Sequence, residues 1–275
     1  MLAAAGGRSA VPCGTGKEGA LVGDWIRCCH PAPDAGLRLL CFPHAGGSVS
    51  AYHALSAAVS GGVEPLIVQY PGRHDRFGEP FAAGADEIVD AVLDELPRGP
   101  GDAPLALFGH SMGALLAFET ARRLERAGRP PVALFLSGRA APSLPRRTAA
   151  KRPVRDMDDA ELVEEMRKLS GTAEELLSSP EMLSIFLPPM RADYQIVDDY
   201  VYRAGPPLSC PVTVLTGDDD PRVTPDEARA WQSETRGGFS CHVLAGGHFF
   251  LDAHLPYVAG VITSSLPDLG ARTAP

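Results

Sequence analysis

From Leu37 onward the chain alternates between two hydrophobic patterns. Short, almost unbroken apolar runs occur at Leu37–Phe42 (LRLLCF), Pro65–Tyr70 (PLIVQY), Leu105–Gly109 (LALFG), Val132–Ser137 (VALFLS), Pro211–Thr216 (PVTVLT) and Phe239–Leu244 (FSCHVL). Runs of this length that do not alternate apolar with polar predict parallel strands covered on both faces. Between them, Ser48–Val59, Ala85–Leu96, Met112–Arg126, Thr224–Glu234 and His254–Leu266 read as amphipathic helices. Strands and helices taking turns imply βαβ units, so the pattern predicts an α/β architecture with a mostly parallel, doubly wound sheet.

One interval breaks the rhythm. Residues 141–209 contain no strand-like run and read as helices, including Asp158–Leu169 and Glu181–Tyr202, the second interrupted at Pro188-Pro189. Roughly sixty residues between two strands are too many for an ordinary loop. They predict an inserted helical lid over the carboxyl edge of the sheet, where open α/β folds bind ligands. Met182, Leu183, Ile185, Phe186 and Leu187 supply its apolar surface. The expected organisation is a core of residues 25–140 and 210–275, a lid at 141–209, and an Ala/Gly-rich flexible tail at 1–24.

Composition narrows the function classes. With 25 Lys+Arg against 34 Asp+Glu, the net charge of the 275 residues is -9, which offers no general attraction to nucleic acid or anionic lipid. No run reaches the roughly 18 apolar residues of a membrane span, and residues 1–20 lack a basic leader with a continuous apolar stretch. A cytoplasmic protein is the expectation. The six cysteines, Cys13, Cys28, Cys29, Cys41, Cys210 and Cys241, are irregularly spaced and read as reduced thiols. Gly14-Thr15-Gly16-Lys17-Glu18-Gly19 matches a dinucleotide-binding pattern, but the preceding stretch carries Pro12 and supplies no strand, so nucleotide binding is not expected.

The residues with chemistry cluster after predicted strands. Gly109-His110-Ser111-Met112-Gly113 matches G-x-S-x-G between a strand and a helix, the setting of a nucleophile elbow in which Ser111 is held in a strained turn. A serine hydroxyl needs a base, and the base a carboxylate, and in this arrangement they follow in the order Ser, acid, His. Three aspartates, Asp218, Asp219 and Asp220, compete at the end of the Pro211–Thr216 run. Asp220, deepest in the turn and followed by Pro221, is favoured, with Asp219 the fallback. Of the eight histidines, His248 alone occupies the loop after the last strand, whereas His110 must point away from the nucleophile. An oxyanion hole would take the Met112 N–H and the Ala45 N–H, the latter from the loop Phe42-Pro43-His44-Ala45-Gly46-Gly47-Ser48. Read structurally, that loop is a strand-to-helix turn capped by Ser48, and both readings can hold.

Together, Phe42-Pro43-His44-Ala45-Gly46-Gly47, Tyr70-Pro71-Gly72-Arg73, Gly109-His110-Ser111-Met112-Gly113, Gly217-Asp218-Asp219-Asp220-Pro221 and Gly246-Gly247-His248-Phe249 resemble the type II thioesterases that accompany modular polyketide and nonribosomal peptide synthetases. The resemblance covers about residues 25–265. It implies the α/β-hydrolase fold, with Ser111, Asp220 and His248 as a triad and Ala45 and Met112 as oxyanion donors. The implied activity is hydrolysis of acyl groups from the phosphopantetheine thiol of acyl or peptidyl carrier proteins, through an acyl-serine and with no cofactor or metal. A carboxylester hydrolase or lipase, an acyltransferase and a noncatalytic binding protein on the same fold are the alternatives. Carrier proteins are generally acidic, so the densest basic segment, Arg146, Arg147, Lys151, Arg152 and Arg155, is the candidate docking patch, or else a solvated connector.

Overall fold

Why the apolar runs are unbroken is visible in the register of the sheet. A computed structural model describes residues 20–21, 23–96, 103–145, 152–169 and 179–267. Within them, six parallel strands carry the six runs: β3 (Arg38–Phe42), β4 (Glu64–Val68), β5 (Leu105–His110), β6 (Ala133–Ser137), β7 (Val212–Gly217) and β8 (Phe239–Leu244). Along β3, Leu39 and Cys41 pack with one buried cluster while Leu40 and Phe42 pack with another. Both faces are therefore covered. One is roofed by α1 (His53–Val59) and α7 (Leu255–Ser265), the other by α2 (Ala85–Glu95), α3 (Met112–Arg126) and α6 (Pro225–Arg229). Each large aliphatic side chain withdrawn from water in these layers contributes roughly 1.5–3 kcal/mol before entropy is counted.

Two further strands, β1 (Ala20–Leu21) and β2 (Ile26–Cys28), extend the sheet antiparallel beyond β4, giving the order β1-β2-β4-β3-β5-β6-β7-β8. Within the expected tail, Ala20 and Leu21 pair with Cys28 and Arg27; residues 1–19, with the Gly14–Gly19 pattern, lie outside the described residues. The strand order reverses at β3. The chain moves from β3 to β4 on one side and then to β5 on the other, so the loops after β3 and β5 diverge from a crevice at the carboxyl ends of these two strands.

The described part of the interval between β6 and β7 carries two α-helices, followed by non-helical chain across residues 200–211. It contains α4 (Asp159–Lys168), with a capping box between Asp158 and Glu161, and α5 (Pro180–Asp199), capped by Ser179. Val154, Leu162, Val163, Met166, Leu187 and Met190 form a small core of its own. The interruption expected at Pro188-Pro189 is absent, and α5 runs unbroken through both prolines, ending at Asp199 rather than at Tyr202. Each proline lacks an N–H and costs a helix interior about 3 kcal/mol, but Leu187, Pro189, Met190, Asp193 and Ile196 are all buried, and tertiary packing overrides the local preference. No described helix is long and apolar enough to cross a membrane. Cys29, Cys41, Cys210 and Cys241 are free thiols and Cys28 is buried; Cys13 lies outside the described residues.

Candidate active site

The turn from β5 into α3 is where the sequence demands glycine twice. Ser111 has φ 56° and ψ -114°, a left-handed conformation that non-glycine residues rarely adopt. A side chain at position 109 would put its Cβ 2.1 Å from the Gly113 carbonyl oxygen, and one at 113 would meet the Phe42 carbonyl oxygen at 1.9 Å. Only hydrogen fits at either position. The Ser111 N–H donates to the Ser137 carbonyl at 2.8 Å, extending the β5–β6 ladder and leaving the half-buried hydroxyl at the crevice. Met112, the first residue of α3 and fully buried, directs the start of the helix at the same place.

His248 reaches this hydroxyl from the loop after β8. Its Nε2 lies 2.9 Å from Ser111 Oγ, and its Nδ1 lies 2.8 Å from Asp220 Oδ2. A carboxylate only accepts, so Nδ1–H is the donor and the Nε2 lone pair faces the serine O–H. Asp220 Oδ1 also accepts from the Arg222 N–H at 2.8 Å, which fixes the carboxylate plane. Asp220 and His248 are 7% and 3% exposed, so the charge-assisted hydrogen bond between them is shielded from water. Asp218 and Asp219 are exposed and serve the turn instead. Asp218 Oδ1 accepts from the Gly246 N–H, and the Asp219 N–H donates to the Gly246 carbonyl. The β7 and β8 loops touch so closely that a Cβ at Gly217 would sit 2.3 Å from the Gly246 oxygen.

The loop after β3 arrives beside the elbow because Phe42 and Gly109 are partners in the β3–β5 ladder. Ala45, Ser111 and His248 border common space. Ser48 takes the cap position of the following 3-10 turn (Val49–Tyr52) but makes no cap hydrogen bond with its side chain; its hydroxyl pairs with Ser50. Two more imidazoles crowd the site. His110 is fully buried, with its ring centroid 5.0 Å from that of His248 and 6.0 Å from that of His44. It packs against the His248 ring beside the elbow, and its Nδ1 bonds Ser137 Oγ at 2.9 Å. Burial, reinforced by His248, depresses the pKa of His44 to about 4 and that of His110 well below the ordinary histidine range. Both rings are neutral near pH 7, so neither competes for the proton that His248 would hold.

Comparison with known proteins decides the family. The family model for the thioesterase domain matches residues 37–266. The chain belongs to the thioesterase family. It is 42% identical over 254 residues to thioesterase PikA5 of Streptomyces venezuelae, covering 92% of this chain and 88% of that protein. The solved structure of the type II thioesterase BorB, from the borrelidin biosynthetic cluster, matches with a TM-score of 0.78 at 46% identity, over 88% of this chain and 98% of BorB. RedJ, a thioesterase of the prodiginine biosynthetic pathway in Streptomyces coelicolor, matches with a TM-score of 0.76 at 37% identity, over 84% and 86% of the two chains. The protein is accordingly a hydrolase of thioesters with the α/β-hydrolase fold.

In this thioesterase the helices α4 and α5 roof the crevice. A cavity of about 750 Å³ reaches Ser111, Met112 and His248 from the side of Arg139, Tyr200 and Arg222. A second, of about 370 Å³, reaches Ser111 and His248 from the side of Phe186, Met190 and Phe249. Of the apolar lid residues singled out in the sequence, Phe186 lines the second cavity, Leu183 and Leu187 pack the lid's own core, and Ile185 is 48% exposed. Phe186, Met190 and Tyr194 line the second cavity from one face of α5, and their spacing of four was the signal that identifies the face. Arg152 and Arg155, the described part of the basic segment, pair with Glu161 at 2.6 Å and Asp199 at 3.0 Å; Arg146, Arg147 and Lys151 lie outside the described residues. Among the described residues, no group of three His, Cys, Asp or Glu side chains could hold a metal ion.

Proposed function

We propose that this thioesterase releases acyl groups from the phosphopantetheine arm of acyl or peptidyl carrier proteins, with Ser111, His248 and Asp220 as its catalytic triad. The observation that carries the reading is the unbroken hydrogen-bonded chain from Ser111 Oγ through both nitrogens of His248 to Asp220. It stands at the carboxyl edge of the sheet beneath a helical roof. His248 Nε2 takes the Ser111 proton as Oγ attacks the thioester carbonyl, and Asp220 stabilises the imidazolium that forms. The Ala45 and Met112 N–H groups receive the oxyanion. Collapse of the tetrahedral intermediate expels the pantetheine thiolate, which takes the proton from the His248 imidazolium and leaves the ring neutral. The conjugate thiol, with a pKa near 8.5, is a good leaving group and needs little acid assistance. His248 then removes a proton from water, whose oxygen attacks the acyl-serine, and returns it to Ser111 Oγ. The scheme uses protein groups and water, with the pantetheine arm arriving as part of the substrate. Carrier-bound substrates, and an editing role that clears wrongly loaded carriers, fit the biosynthetic settings named for BorB and RedJ.

The test compares an acyl-carrier thioester with a matched p-nitrophenyl ester, in the wild-type chain and in Ser111→Ala. Preference for the thioester, together with a loss on the order of 10⁴–10⁶ in turnover for Ser111→Ala, supports the reading. Preference for the oxygen ester would make the protein a carboxylester hydrolase. Near-normal turnover by Ser111→Ala would remove the triad altogether.

A further inference from the structure

The segment Tyr70-Pro71-Gly72-Arg73 takes no part in the chemistry above, yet it and the residue before it are bonded to the oxyanion loop at three points. Tyr70 O–H donates to the Pro43 carbonyl at 2.9 Å, and Gln69 Oε1 accepts from the Val49 N–H at 3.1 Å. The third point is indirect and lies between the other two. Arg73 forms an ion pair with Asp193 of α5, and the other carboxylate oxygen of Asp193 accepts from the Gly46 N–H at 2.7 Å. Loop residues 43, 46 and 49 are thus held, bracketing Ala45, and the middle restraint comes from the lid.

The middle restraint is costly and specific. Arg73 and Asp193 are 7% and 2% exposed, and a buried ion pair is seldom more stabilising than apolar side chains of the same volume. The guanidinium is further tied to the Pro71 and Pro189 carbonyls and lies over the Tyr70 ring. What Asp193 supplies and leucine could not is an acceptor for Gly46. That glycine has φ 75°, and a Cβ there would lie 2.0 Å from Met190 Sδ, so α5 rests directly on the loop backbone. Gly46 N belongs to the peptide unit following Ala45, and fixing it fixes the orientation of Ala45.

Granting the triad reading, we propose that Asp193 is a positioning residue for the Ala45 oxyanion donor and that Arg73 holds its carboxylate in register. The lid helix therefore completes the oxyanion loop. When α5 lifts, the acceptor for Gly46 leaves with it, and full stabilisation of the tetrahedral intermediate exists only with the lid seated. The signature is a loss in kcat with KM little changed, because the oxyanion forms after substrate binds.

The test compares two chains in which the ion pair is removed without leaving a buried charge. Arg73→Met with Asp193→Asn keeps an amide oxygen for Gly46 N–H, and Arg73→Met with Asp193→Leu does not. Hexanoyl-N-acetylcysteamine serves as substrate, and active sites are counted by end-point labelling of Ser111 with a fluorophosphonate. The Met/Asn chain should retain kcat per labelled site within about threefold of wild type. The Met/Leu chain should lose on the order of tenfold to a hundredfold, the scale of a donor misplaced by about 1 Å. The inhibition constant of an alkylboronic acid, which forms a tetrahedral adduct on Ser111, should rise by a similar factor. Wild-type kcat in Met/Leu, or equal losses in both chains at unchanged boronate affinity, would overturn the proposal. Should Met/Leu fail to fold, Arg73→Met with Asp193→Ala makes the same comparison. Failure of the triad reading is seen separately, as a wild-type chain that is not labelled at Ser111 or does not turn the thioester over.

Discussion

At Ser111 the backbone, not the side chain, is the scarce resource. Holding φ at 56° requires that nothing larger than hydrogen stand at 109 or 113, and a Cβ at 113 would overlap the Phe42 oxygen at 1.9 Å. Gly113→Ala should therefore lower the unfolding free energy by about 3 kcal/mol and shift the loop after β3 with it. Urea unfolding gives the first effect, and an unchanged midpoint would show that the elbow relaxes freely. The aspartates separate just as sharply. Asp220→Asn removes the charge that supports the imidazolium and should cost on the order of 10³–10⁴ in kcat, whereas Asp219→Asn alters an exposed turn residue and should change kcat by less than about threefold. The reverse ranking would move the acid by one residue. Near these groups, His44 titrates about 4 in the folded chain against 6.5 unfolded. Between those values the unfolded state binds more protons, so stability falls as pH drops from 6.5 toward 4. His110, also depressed, acts in the same direction. Urea midpoints for His44→Asn should fall less steeply over that window than those of the wild type, and parallel slopes would mean that His44 is not buried neutral.

The lid shows what an element gains from its neighbours. Its small core is separate from the two clusters flanking the sheet, and two of the backbone hydrogen bonds of α5 are missing by the chemistry of Pro188 and Pro189. Fewer shared contacts mean a lower free energy of local opening. Amides of α4 and α5 should exchange faster than those of β5, β6 and β7 in hydrogen-exchange measurements, and uniform protection across both groups would count against a lid that gates the crevice. The same elements show what could be read in advance. The six parallel strands were legible to within one or two residues; in β3 to β7 burial on both faces writes a continuous apolar run, whereas β8 is a half-buried edge strand. The hydrogen bond of Asp220 to His248 agrees with its place in the post-strand turn, the feature that singled it out among the three aspartates. β1 and β2 were not legible, since two and three residues on an antiparallel edge are too short to display a period. The passage of α5 through its prolines was hidden too, because the packing that stabilises it lies in residues distant in sequence. Asp193 carried no signal at all, for an acid in a helix ordinarily faces water. Only its Arg73 and Gly46 partners give it meaning.

At the scale of the molecule, strand order and charge set how substrate arrives. The reversal at β3 puts the loop after β3 and the elbow after β5 on the same crevice, and the lid leaves that crevice reachable from two sides. Under the proposed function, a carrier protein would approach with its pantetheine arm aimed at one of them, against a net charge of -9 on this chain. An acidic carrier would be repelled unless positive charge is concentrated locally. The five cations between 146 and 155 are the densest such segment, but Arg152 and Arg155 are neutralised in place by Glu161 and Asp199. Arg152 also lines the larger cavity, so altering it would confuse docking with catalysis. Arg146, Arg147 and Lys151 supply the remaining positive charge of the segment. Reversal of Arg146 and Arg147 to Glu should therefore lower the association rate with acyl-carrier substrate by roughly tenfold at low ionic strength, a difference that shrinks as salt screens it. Turnover of acyl-N-acetylcysteamine, which presents no protein surface, should stay within about twofold. Equal losses on both substrates would mean that these arginines support the lid rather than meet the carrier. No loss on the carrier-bound substrate would move the docking face away from the segment that leads into the lid.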